Sequence, residues 1–511
     1  MSHFCSAFVW GGVLIGVALG GSQVAAQSVP IHGPVYLAYA GPYSSSPPSA
    51  FGHLFLIFGQ DSTTAMPLWE VVSFAAETDS AGALRYMTVG IFGGFQGTYE
   101  RLKFHEKSRD YELLEDRDLW LTELLLSDAQ RSELAIHLDA TNGQYFPYTF
   151  FERNCAYYLQ LLLSKVLSDV PPPDGFTSPT GVMEVLSRSS VRGQSYFRPS
   201  ASRRLEQPSD AIALSTRTRV RSSDWGDVAV DTSWLMELNA SDRGFVQQYL
   251  NWKAMKRGTP LDRAEEAGFA LLRYMNSSLT PSGLPKSTPG EAISRPEFHR
   301  YSRVSLGLVR QDGTYRTRVA FRPGVHDEYD SWVAHRPLNT MEILSFEASV
   351  SASENVEDPR IESIVLFSQR SLNPSSWLTQ RESWLLEVVG ERGGLFGHEE
   401  FHYVARSGGG RAIALGESAW THLALTTAVV GASGDWAFAP GLDVGVLVLP
   451  SNSWRFGTRW TREHSLLDWS RKSETFEAWV RYDFANEAGV RVFLESREAR
   501  PTIGLSLDWY P

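Results

Sequence analysis

The sequence predicts an α+β chain in three parts: a mixed domain over residues 33–173, a linker and helical module over 174–300, and an antiparallel β-barrel over 301–511. Three observations carry this. Before Pro173, short apolar runs of strand length alternate with segments of helical period. After Tyr301 nearly every segment alternates apolar and polar residues, the period of a sheet with one buried face. Ten of the sixteen tryptophans fall after residue 330, which divides the chain into unlike parts.

Residues 1–26 read as a secretory signal, with an apolar run from Phe8 to Leu19 and small residues at Ala25 and Ala26. The run is short for a membrane span, which needs about 20 residues, so cleavage is the expectation and an uncleaved anchor the alternative. Cys5 lies inside this segment. Cys155 is then the only cysteine of the exported chain, and no internal disulfide is available to it.

Val35–Ala40 reads as a buried strand, Phe51–Phe58 as a second with His53 at its entrance, and Leu68–Phe74 as a third, antiparallel to the second. Leu119–Leu125 is a fourth. Ser127 caps a helix running to about Ala140, and Asn154–Val166 carries apolar residues at helical spacing. Pro171-Pro172-Pro173 breaks that helix and opens the linker. Ser202–Asp224 is polar and expected to be irregular. Ser233–Leu238, Asp242–Lys256 and Leu261–Ser277 read as helices, and Thr280–Pro296 as a loop. Thirteen candidate strands follow Tyr301, with Glu400–Ala405 and Ala412–Ala419 counted separately, so about 10–14 antiparallel strands are expected. Scattered tryptophan and tyrosine, and a last strand ending in Trp509-Tyr510, fit an outer-membrane barrel better than a soluble barrel or sandwich. Phe321–Asp327 holds a His-Asp pair that a solvated hairpin turn explains more simply than a functional site.

The net charge of −11 argues against a nucleic-acid partner. HExxH, paired CxxC, phosphate-loop and dinucleotide patterns are all missing from the sequence, so neither a metal nor a cofactor is implied. The chemistry then rests on Cys155. In the first turn of a helix, free backbone N–H groups and the helix dipole favour a thiolate, so a lowered pKa is expected. His53 is the candidate base, because an apolar strand offers an imidazole few partners. Glu70 on the neighbouring strand is the candidate orienting group, with Ser73 and His105 as alternatives. The plain alternative is an inert buried cysteine and a structural histidine.

Phe51-Gly52-His53 before an apolar strand, then Glu115-Asp116-Arg117-Asp118-Leu119-Trp120, then Tyr145, Tyr148, Phe150, Phe151, Asn154 and Cys155, together resemble the Lnb N-terminal periplasmic domain family. That family is similar to circularly permuted papain-like thiol enzymes, in which histidine precedes cysteine. The resemblance implies lipoprotein N-acyltransferase chemistry: a fatty acyl group passes from phospholipid through a Cys155 thioester to an amine, with His53 as base. Arg117, Tyr148, Phe151 and Asn154 are the candidate substrate-binding residues. Aromatic residues about the motif, including Phe146, Phe150, Tyr157 and Tyr158, would line an acyl slot, the Cys155 N–H would help an oxyanion, and Arg117 would bind a lipid phosphate. Aromatic packing and an ion-paired arginine are their structural alternatives. The expected function is a cell-envelope cysteine acyltransferase at the periplasmic face of the outer membrane, with phospholipid donor and lipoprotein or peptide acceptor. The alternatives are a papain-like amidase or peptidase on cell-wall peptides, and a non-enzymatic barrel scaffold.

Overall fold

The computed structural model describes residues 31–43, 51–59, 65–77, 85, 89–90, 92–173, 175–209, 212–222, 237–256, 291–293, 300–330, 338–351, 359–379, 381–397, 400–432, 434–485 and 487–511. The expected signal segment, the helix 261–277 and most of 233–238 lie outside them.

The N-terminal part is built on an eight-stranded antiparallel sheet: β1 Val35–Ala40, β2 His53–Phe58, β3 Glu70–Glu77, β4 Phe95–Lys103, β5 Leu119–Leu124, β6 Phe146–Tyr148, β7 Arg192–Arg198 and β8 Glu291–Ile293, in the order 6-4-3-2-1-5-7-8. β1 is central and buried throughout, as a strand covered on both faces must be. One face packs on the helices α2 Asp128–Ala140, α3 Cys155–Val166 and α4 Pro179–Ser187, with Leu37, Leu54 and Leu56 against Leu159, Leu163 and Val182. Each such leucine contributes about 1.5–3 kcal/mol when fully buried. The other face packs Phe55, Ile57 and Val71 on Phe104 and Tyr111, from α1 Phe104–Ser108 and the π-helical turn Arg109–Leu114 after it.

The prolines 171–173 end α3 but not the domain. Val182, Met183 and Leu186 of α4 share its core, and β7 and β8 complete its sheet, so this unit extends past the expected boundary at 173. The stretch expected to be irregular forms α5 Ala201–Ser209 and α6 Leu214–Ser222. Ala201, Leu205, Ile212 and Val220 turn inward onto Leu113 and onto Phe245 and Val246 of α7 Ala240–Lys256, while Leu214 stays exposed. A polar composition hid a helical period that tertiary packing uses.

The C-terminal part is a closed antiparallel barrel. β9 Arg303–Gln311 and β10 Thr314–Arg322 are followed by a short β11 Gly324–His326, then by β12 Asn339–Ser351, β13 Pro359–Leu372, β14 Ser383–Arg392, β15 Phe401–Ala414 and β16 Ala419–Ala432. β17 Asp435–Val448, β18 Trp454–His464, β19 Lys472–Ala485, β20 Ala488–Arg497 and β21 Arg500–Trp509 complete it. β10 pairs with β12 and β21 with β9, so twelve strands close the ring and β11 is an extra pairing on β12. The two segments separated in the sequence at Ser407–Gly410 are one strand, β15. A Cβ at Gly410 would lie 2.0 Å from the Leu423 carbonyl, so the glycines admit the neighbouring backbone instead of ending the strand.

The polarity of this barrel is inverted relative to a soluble one. Leu306, Leu308, Leu423, Leu425, Ile503 and Leu505 point outward and are exposed. The interior holds buried Arg370, Asp443, Arg455, Arg481 and Asp508, joined in ion pairs such as Arg481–Asp508 and Arg370–Asp443. An apolar outer surface around a charged interior is the arrangement a barrel in lipid requires. Exposed Tyr315, Tyr403 and Trp436 sit toward one end of the strands, and Trp454, Tyr482 and Trp509 toward the other, where the barrel begins and ends. The segment after β10 folds into the lumen: Arg491 lies 3.9 Å from the Tyr329 ring centroid, and Asp327 and Asp330 pair with Arg303 and Arg322. The His326-Asp327 pair is therefore buried, not part of a solvated turn. A charged cavity of about 300 Å³ remains, lined among others by Arg318, Arg406, Arg459, Glu387 and Glu495.

Candidate active site

Cys155 opens α3, and Asn154 caps it: the Asn154 Oδ1 accepts the Tyr157 N–H at 3.0 Å. The thiol is 4 % exposed and sits among Phe74, Tyr158, Tyr99, Phe146, Tyr148 and Tyr157. Three backbone N–H groups, those of Leu54, Ala156 and Cys155 itself, favour its anion, as does the charge of Arg117. Leu54 immediately follows His53, so the structure brings the cysteine to the entrance of β2.

His53 is held there by two features. Gly52 before it has φ of 79°, and a Cβ would stand 2.6 Å from the Tyr39 ring, so only glycine makes this turn. The His53 Nε2 bonds the Ser73 Oγ at 2.9 Å, and Ser73 is fully buried opposite Phe55 on β3. Tyr111 packs against the imidazole at 5.9 Å between centroids.

Glu70, the expected orienting group, is not at the site. It pairs with Phe58 at the other end of β2, and its carboxylate accepts from Arg101 at 3.1 Å near the surface. Ser73 occupies the orienting place because the β2–β3 register puts it, and not Glu70, near the start of β2.

The expected lowering of the cysteine pKa is also corrected. Burial pushes the Cys155 thiol up, and the surrounding N–H groups and Arg117 only offset this in part. Burial, with Lys107 and Arg117 adding repulsion, holds the His53 imidazolium well below its usual range. At rest Cys155 is therefore held as the thiol and His53 as the neutral imidazole. The helix-terminus argument gave the right sign for the local donors and omitted the larger desolvation.

The candidate binding residues divide. Arg117 is 3 % exposed and spends its donors on the carbonyls of Ala40, at 2.9 Å, and Gly41, and on Glu115 at 2.7 Å, so it is committed to holding the end of β1 and is not open to a lipid phosphate. Its guanidinium lies 4.6 Å from the Tyr111 centroid. Asn154 is structural as well: its Nδ2 donates to the carbonyls of Phe150 at 2.9 Å and Thr177 at 2.7 Å. Tyr148 stacks on Phe74 and borders the cysteine cluster. Phe151 meets Phe51 edge-on at 5.7 Å and packs beside Phe176 toward the barrel. Tyr111 and Tyr301 carried no local signal in the sequence; each reaches the site through a long-range contact. Among the described residues no cluster of metal-ligating side chains occurs.

Residues 24–187 match the model of the Lnb N-terminal periplasmic domain, and residues 295–510 match a family described as a domain of unknown function (DUF7840). Among solved structures, the KdgM porin in complex with disordered oligogalacturonate is similar at 9% identity, over 40% of this chain and 98% of that one, with a TM-score of 0.26. The NanC porin matches at 9% identity over 41% and 98%, TM-score 0.27. The Acinetobacter baumannii outer membrane protein Omp33 matches at 11% identity over 42% and 99%, TM-score 0.24. No curated protein matches the chain.

Proposed function

Starting from an Lnb-type periplasmic domain joined to an inside-out barrel, we propose that this chain is a cysteine acyltransferase of the cell envelope, anchored in the outer membrane by its own barrel, with its thiol domain on the periplasmic side. The observation that carries this is the Cys155 thiol in an aromatic enclosure, receiving the N–H of Leu54, the residue that follows the Ser73-bonded His53. With Nε2 engaged by Ser73, Nδ1 is the nitrogen that takes the thiol proton. The Cys155 sulfur attacks the acyl carbonyl of a phospholipid ester as its proton passes to His53, and the Cys155 N–H and the Arg117 charge favour the developing oxyanion. Collapse breaks the ester bond; the lysophospholipid oxygen takes the proton from His53 and leaves an acyl-thioester. An amine then attacks the thioester, His53 accepts the amine proton and returns it to sulfur, and an amide and the free thiol result.

The aromatic surround of Cys155, made of Phe74, Phe146, Tyr148 and Tyr158, supports an acyl chain over a peptide as the donor group. A buried, neutral thiol supports the competing reading, a barrel scaffold whose N-terminal domain is inert. Incubation with a phospholipid labelled in its acyl chain and a diacylglyceryl peptide separates the two. Transfer is expected in wild type and in Glu70→Gln, absent in Cys155→Ser and His53→Ala, and reduced about 10–100-fold in Ser73→Ala, the order by which partners of a functional histidine count. No transfer, with no acyl adduct on Cys155 by mass spectrometry, would leave the scaffold reading.

A further inference from the structure

We propose that Tyr301, contributed by the barrel, is a positioning residue of the thiol site, so that the barrel is a structural part of the active centre as well as its anchor; this rests on the thiol-enzyme reading above. Tyr301 lies two residues before β9 and is 2 % exposed. Its hydroxyl donates to the Phe51 carbonyl at 2.6 Å and stands 3.4 Å from the Tyr39 hydroxyl. Phe51 is two residues before His53, and the Gly52 between them is locked in a left-handed turn against Tyr39 and the Ala40 carbonyl. A hydroxyl on the Phe51 carbonyl therefore fixes the peptide that aims the imidazole.

The barrel end of this strut is itself held. The Tyr301 carbonyl accepts from Arg322 at the end of β10, and Arg322 pairs with Asp327 and Asp330 of the segment folded into the lumen. The cysteine loop rests on the same wall: Phe51 and Phe150 cluster with Met341 and Ile343 of β12 and with Phe367 of β13. Phe150 is bonded to Asn154 through its carbonyl, one residue from Cys155. The loops bearing both reacting groups are thus seated on one patch of barrel, and Tyr301 supplies the directional bond in it. Arg188–Glu487 and Arg381–Asp116 pair other parts of the N-terminal unit with neighbouring barrel turns, so the docking does not depend on Tyr301 alone.

The test uses the full chain in detergent or lipid. Tyr301→Phe keeps the ring and loses the donor. It is expected to lower kcat about 10–100-fold, the cost of a small misplacement of a catalytic group, with KM within about two-fold. Independently of any substrate, alkylation of Cys155 by iodoacetamide at pH 8 should become several-fold faster as the loosened loop admits water, about three-fold or more. Tyr39→Phe leaves the Tyr301 bond to Phe51 intact and gives up the long 3.4 Å hydroxyl contact, and Ser302→Ala removes a bond to the Pro323 carbonyl on the same rim; both should stay within about two-fold of wild type by either measure, the low end of a single hydrogen bond. Wild-type kcat and alkylation in Tyr301→Phe, with circular dichroism showing the fold intact, would overturn the proposal, as would equal effects in all three variants. Faster alkylation in Tyr301→Phe, with no acyl transfer even by wild type, would remove the acyltransferase reading while keeping the docking role.

Discussion

His53 is the base of the proposed mechanism, and its environment sets a sign that can be measured. Burial, then Lys107 and Arg117, hold its folded pKa well below 6.5. Between that folded value and about 6.5 the unfolded chain binds the proton and the folded chain does not, so acidification through this window favours unfolding. Relative to His53→Gln, wild type should therefore lose stability from about pH 6.5 downward, read as the urea midpoint at which Cys155 becomes reactive. A gain in wild type over the same window would mean a protonated imidazole held by a thiolate, the preformed ion pair that the local helix-terminus argument favours. The places of Cys155 and His53 were legible in the sequence because each carries a local mark: a lone cysteine at a helix start and a histidine after a glycine at a strand start. Ser73 was legible only as one of three choices. Which of Glu70 and Ser73 faces His53 is a matter of β2–β3 register, and that is set by turns and packing outside the motif.

Helix α3 begins at Cys155, and its start is over-determined. Asn154 makes the cap to Tyr157 and two further bonds from its amide to Phe150 and Thr177, all within a buried loop. Asn154→Ala forfeits a cap worth about 1 kcal/mol and two hydrogen bonds worth about 0.5–1.5 kcal/mol each. It should destabilise the domain by about 2–4 kcal/mol in urea unfolding, because the orphaned carbonyls remain buried. Asn154→Asp keeps the acceptor and loses both donors, so it should fall between the two. A loss below 0.5 kcal/mol in Asn154→Ala, within the usual scatter of surface changes, would return the side chain to a binding role. Other elements varied in legibility for equally physical reasons. The helix at 128–140 was visible through its Ser127–Gln130 capping box. The helices at 201–222 were not, since their polar surface outweighs the few residues that pack. β15 was read as two strands because its central glycines serve a close backbone approach that only the folded barrel has.

At the scale of the whole molecule, the barrel's polarity is a statement about its solvent. The alternation that made its strands legible says only that two faces differ; a soluble barrel would show the same period with the faces exchanged. What the sequence alone left open, and the closed ring resolves, is that the apolar face is outside. The ionic interior follows: Arg481 and Asp508 are fully buried side chains that need each other, since either one alone would be an uncompensated buried charge. Leu425 tests the outer face. It lies at the middle of β16, points outward and is 71 % exposed. In water, substituting so exposed a residue should change stability by no more than about 0.5 kcal/mol. Facing hydrocarbon near mid-depth, Leu425→Arg should instead cost about 2–4 kcal/mol, seen as a lower midpoint for reversible unfolding in phospholipid vesicles. Thr427→Arg, two residues along the same face and still within the strand, should show a comparable penalty, whereas the exposed distal-loop residue Leu467 should accept arginine without loss. Equal tolerance at Leu425, Thr427 and Leu467 would mean that water, not lipid, covers this wall, and the thiol domain would then need another route to the membrane whose acyl chains it is proposed to use.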